Sequence, residues 1–95
     1  MNKKEIFKEL TQKLIDTTTA RDDYEIDYEL EKARLMVSAE ISGLGNQTLR
    51  DAELTLVLNE KGMYRKMAEL RSQARTAWYA WSSIKSLVDG NVGEE

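Results

Sequence analysis

The chain has 95 residues, a third of them charged, with a net charge of −3 and no proline, cysteine or histidine. That length sets one small domain with a modest core. Without Cys there are no disulfides or thiolate metal sites. Without His the commonest general base is missing, as is the Glu-x-x-His ligand pair of di-iron bundles. Ala, Leu, Glu, Lys, Arg and Met, all good helix formers, make up much of the rest.

The opening stretch, MNKKEIFKEL, is basic but carries no apolar core, so no secretion signal is expected and the chain is placed in the cytoplasm. Lys3 to about Asp16 presents Phe7, Leu10 and Leu14, with Ile6 and Ile15 beside them, as an amphipathic helix face. Three β-branched residues, Thr17, Thr18 and Thr19, follow and mark a candidate break. From Ile26 an apolar stripe resumes as Leu30, Ala33, Val37, Ile41 and Leu44, at spacings of four and three. The first helix is thus expected over about 3–42, with that break near 17–19.

The best turn is Ser42-Gly43-Leu44-Gly45-Asn46, so a connection is expected over 43–47, closed by a left-handed glycine. Asn46 or Thr48 is the candidate cap for the next helix, and Thr48 with Asp51 forms a capping-box-like pair. A second helix is expected over about 48–88. Every seventh residue there is apolar: Leu49, Leu56, Met63, Leu70, Ala77 and Ile84. Gly62 interrupts this run, and residues 91–95 form a flexible tail. No apolar run approaches the roughly 18 residues of a membrane span. Residues 1–90 therefore read as one all-α domain, an antiparallel helical hairpin or coiled coil.

Charge gives the same pairing. With the turn near residue 45, facing positions sum to about 90, which sets Phe7 and Leu10 against Trp81 and Ala80. Residues 16–31 hold seven acids against one Arg, and residues 61–75 hold five bases against one Glu. Opposed, these blocks set register and direction more than stability, since an exposed ion pair is worth about 0–1 kcal/mol.

No residues are assigned a catalytic, cofactor-binding or metal-binding role. The acidic cluster lacks the glycine and ligand spacing of a calcium loop and reads as a solvated, salt-bridged face. Lys61, Arg65, Lys66, Arg71 and Arg75, interleaved with Tyr64, Trp78, Tyr79 and Trp81, are candidate contacts for single-stranded nucleic acid. Core packing and intrachain pairing account for them better, because Trp81 falls in the seam and the bases face acids. On helical geometry Leu54, Leu58, Leu35 and Ala39 point away from the seam, making a candidate interface that dimerises the hairpin into a bundle or engages another protein.

The stretch GLGNQTLRDAELTLVL, followed by YRKMAELRSQARTAWYAWSSIKSLV, resembles a loose group of small helical proteins from phage and prophage early regions. The likeness covers roughly the C-terminal half and rests on a glycine turn, a polar helix start, central aromatics and a closing leucine-rich heptad. It implies a short accessory protein that acts by binding, without catalytic residues, on a host or replication protein.

Overall fold

The computed structural model describes residues 2–89 in full and traces the last helix to Glu94. The flexible tail expected over 91–95 lies outside the fully described residues. The chain is all-α, with no strand among the described residues: α1 is Lys3–Met36, α2 Ala39–Ser42, α3 Gln47–Glu60 and α4 Met63–Glu94. It divides into two compact units, residues 1–21 with 70–95, and residues 22–69.

α1 begins where the Asn2 side chain accepts a hydrogen bond from the Glu5 N–H at 2.9 Å. It then runs unbroken through Thr17–Thr19, contrary to the break expected there. Thr17 fits because its hydroxyl turns back on the helix, as that of Thr11 does one stretch earlier. Thr17 Oγ1 donates to the Lys13 carbonyl at 2.8 Å, and Thr11 Oγ1 to the Phe7 carbonyl at 2.7 Å.

The break lies instead at Val37–Ser38, where Ser38 is extended with φ −69° and ψ 152°. Both its hydroxyl and its N–H donate to the Leu35 carbonyl, at 2.6 and 3.0 Å. Ile41 consequently belongs to a separate short helix. Gly43, expected to be left-handed, has φ −75°. Its value is space, since an added Cβ would sit 2.9 Å from the Ala39 carbonyl oxygen.

Asn46 caps α3, its side chain accepting from the Leu49 N–H at 2.9 Å. Arg50 reaches back to the Leu44 carbonyl at 3.3 Å and holds the turn against α3. Asn46→Ala should cost about 1 kcal/mol, while Thr48→Ala, at an exposed position inside the first turn, should cost much less. Thermal melting of the two variants compares them directly. α3 ends at Glu60 with Lys61 as its C-cap, and Gly62, at φ +74°, separates it from α4.

In the first unit, α1 and α4 run in opposite directions. A groove is lined by Leu10, Lys13 and Thr17 from one and by Ala80, Ala77 and Gln73 from the other. Phe7 stacks on Trp81 with ring centroids 5.8 Å apart, and the Trp81 indole N–H donates to Thr11 Oγ1 at 2.9 Å. That bond satisfies the polar edge of a half-buried ring.

In the second unit, Tyr28, Leu35, Ile41, Leu54, Leu58 and Met67 form the core, with Ile41 and Leu58 only 1% and 2% exposed. Lys66 Nζ lies 4.7 Å from the centre of the Tyr24 ring, and Lys61 Nζ lies 3.6 Å from Glu31 Oε1. Within each unit, facing residues carry numbers that sum to about 90, as the sequence pairing requires.

Candidate interaction surfaces

α1 offers two stripes at helical spacing, and the structure buries the less apolar one. Phe7, Leu10, Leu14, Thr17, Arg21, Tyr24, Tyr28, Glu31 and Leu35 follow one another at steps of three and four, and all are buried or half-buried. The more aliphatic stripe faces out. Ile26, Leu30 and Val37 are 61%, 64% and 80% exposed, and Ala33 is exposed beside them. At about 100° per residue Ile26, Leu30 and Ala33 fall within roughly 40° of one line, opposite the seam, and Val37 follows directly after the helix end.

The reason is the helix end at Ser38. Ile41 is buried from α2, so it no longer continues the face carrying Leu30 and Val37. The seam instead uses residues with a polar end. Tyr28 packs under Lys32, whose Nζ is 5.7 Å from the ring centre, and Tyr24 packs under Lys66.

The same logic corrects the expected interface. Leu35, Leu54 and Leu58 lie in the core of the second unit, and of the four residues only Ala39 is exposed. That interface requires one helical phase from Leu35 to Ala39 and another carried through Gly62, and the breaks at Ser38 and Gly62 reset both. On α3, Leu54 and Leu58 point inward while Leu49 and Leu56 face out. The heptad row holds its place in the seam only after Gly62, from Met63 onward.

The five basic candidates do not converge. Lys61 pairs with Glu31, Arg65 with Glu69 at 3.4 Å, and Lys66 covers Tyr24. Arg71 has an interaction within the chain, and Arg75 is exposed. Two aromatic rings accompany these last two. Trp78 and Tyr79 are 51% and 60% exposed and meet edge to face, ring centroids 5.3 Å apart. α4 therefore carries an outward basic and aromatic face in the first unit, although Trp81 is half-buried in the seam.

The carboxylates of α1 splay around the helix, and among the described residues no group of three or more metal-ligating side chains could hold an ion. No described helix is long and apolar enough to cross a membrane.

The Glu31 carboxyl is held below its ordinary 4.5, first by the Arg34 hydrogen bonds, then by the charges of Arg34 and Lys61. Arg34 Nε donates to Glu31 Oε2 at 3.1 Å, and Nη2 donates to Oε1. Burial, with Asp27 and Tyr28 adding to it, pushes the Tyr24 phenol up. Because the folded Glu31 value is lowered, its contribution is complete above 4.5 and is lost as pH falls through the lowered value. Glu31→Gln should leave Tm unchanged at low pH and lower it slightly at neutral pH. A Tm–pH curve parallel to wild type would overturn this assignment.

Compared with known families, curated proteins and solved structures, the chain matches none.

Proposed function

We propose that this chain is a non-enzymatic, cytoplasmic helical hairpin that works by binding another protein. The observation that carries the reading is the outward line of Ile26 and Leu30 on α1 with Val37 directly after the helix end, three aliphatic side chains each more than 60% exposed. An apolar strip of this kind lowers the free energy of the chain when a partner covers it. On the resemblance to phage early-region accessory proteins, a host or replication protein is the expected target, which the chain assists or inhibits. The test is a photo-crosslinking amino acid placed at Leu30, at Val37 and, as a control, at Thr48, in cells that express the chain. Protein adducts at the first two positions and none at the third are expected. No adduct at either would sink the reading.

A second reading has its own observation, the exposed pair Trp78 and Tyr79 beside Arg71 and Arg75. Stacking on these rings with phosphate contacts to the arginines is a chemistry that binds single strands. Filter binding of single-stranded and duplex oligonucleotides at two salt concentrations separates the readings. Retention that falls steeply with salt and is lost in Arg71→Glu/Arg75→Glu supports nucleic acid, and no retention removes it.

A further inference from the structure

We propose that two copies of this chain pack antiparallel through the part of α4 that belongs to the first unit, along a face running from Ser72 to Leu87. This goes beyond the binding reading above, which rests on α1. Between residues 72 and 88 the chain holds no acid and only two bases, Arg75 and Lys85. Turned about 100° per residue, Ser72, Thr76, Tyr79, Ala80, Ser83 and Leu87 share an arc of roughly 100°. Both bases lie about 90° or more from the middle of that arc. A chain one-third charged thus presents about four turns of helix with no charge on one face.

The face is open and uneven. Tyr79 and Leu87 are each more than half exposed, and Ser72, Thr76 and Ser83 are exposed between them. Beside it lies the groove, about 510 Å³, that Ser72, Thr76 and Ala80 line together with Leu10 and Thr17 of α1.

The order of large and small side chains fits a second copy. With a two-fold axis between Tyr79 and Ala80, an antiparallel pair sets Leu87 against Ser72, Tyr79 against Ala80 and Thr76 against Ser83. Each large side chain meets a small one, and Leu87 of the second copy reaches the part of the groove that Ser72 lines. A different helix would have to carry the same order in reverse, whereas a second copy carries it by symmetry. Charge agrees, because a neutral face neither repels its own copy nor selects a partner by sign. Lys13, the one charged residue lining the groove, is exposed and meets no base on the facing arc.

Sedimentation equilibrium of the full chain tests this. The wild type should dimerise below about 100 μM, with an affinity that holds or improves as salt rises, since the contact contains no ion pair. Thr76→Lys and Ser83→Glu should each weaken association at least about a hundredfold, because each sets two charges into an uncharged contact. Combined in one chain, the two substitutions should recover most of the loss, since each lysine then faces the glutamate of the second copy. They stand about 10 Å apart along their own helix and cannot pair within it. Leu87→Ser, an uncharged change, should weaken association about tenfold. Circular dichroism reports whether each variant keeps its helix.

A wild type that stays monomeric to about 100 μM overturns the proposal. So does association unchanged in Thr76→Lys and Ser83→Glu, a folded combined variant that stays monomeric, or an affinity that falls steeply with salt. Where a charged variant loses its helix, Leu87→Ser decides, and undiminished association in it overturns the proposal as well.

Discussion

Leu58→Ala is expected to destabilise the chain by about 2–5 kcal/mol, while Leu30→Ala should change stability by no more than about 0.5 kcal/mol. The two leucines are equivalent in chemistry and both sit inside helices. They differ in what surrounds them. Leu58 is 2% exposed among Leu35, Ile41, Leu54 and Met67, so truncation removes buried methyl groups and leaves a cavity that the short helices around it fill only in part. Leu30 is 64% exposed, and truncation there removes little that was hidden from water. Urea melts at low protein concentration, where association adds nothing, should show a midpoint far below wild type for the first variant and close to it for the second. Equal losses, or a larger loss at Leu30, would mean that α1 and α3 present the faces of a plain unbroken heptad and that the phase described here is wrong.

The comparison bears on what apolar periodicity can reveal. The pairing of the two arms was legible, because it rests on where the turn falls and on the opposition of an acidic block to a basic one. The contact of Phe7 with Trp81 and the ion pair of Glu31 with Lys61 both follow from it. The seam of the long last helix was legible too, since Met67, Leu70, Ala74, Ala77 and Ile84 keep one phase with no interruption. The rotation of α1 was not. Ile26, Leu30 and Val37 make the more conspicuous stripe, and counting apolar residues alone favours them over a row containing Thr17, Arg21 and Glu31. That row prevails because Tyr24, Tyr28 and Leu35 bury large surfaces while the polar ends beside them keep partners. The signal that was available is the unbroken alternation of three and four from Phe7 to Leu35, polar members included.

The misplaced interface has the same origin. A stripe is a face only while the helix continues, and the extended Ser38 ends one helix before Ile41. With Ile41 turned into the core, the aliphatic residues before the break are left outside, next to the acids. The surface proposed for binding is thus a consequence of the break. A chain that continued α1 straight through Val37 and Ser38 would turn Leu30 and Ile41 toward the same side, where burying one would tend to cover the other.

Gly62→Ala is expected to cost about 1–2 kcal/mol, whereas Gly45→Ala should be neutral or stabilise by up to about 1 kcal/mol. Neither glycine has an atom within 4 Å of where a Cβ would be placed, so crowding does not distinguish them. Backbone geometry does. Gly62 sits at φ +74°, and no other positive φ occurs among the described residues. An L-alanine at 62 is strained in place, and its preference for right-handed helix favours joining α3 to α4. The core resists that joining. Leu58 and Met67 are nine positions apart in sequence, which on one continuous helix at about 100° per residue sets them on opposite sides. Both are nevertheless almost wholly buried, so the second unit needs the turn at Gly62 to bring them inward together. Alanine at 62 must either hold the strained conformation or pull one of these side chains out of the core, and both routes lower Tm. A D-alanine introduced by chemical ligation accepts positive φ without that conflict and should restore stability to wild type or above. If the L- and D-variants melt together, the left-handed turn is not what sets the phase between α3 and α4.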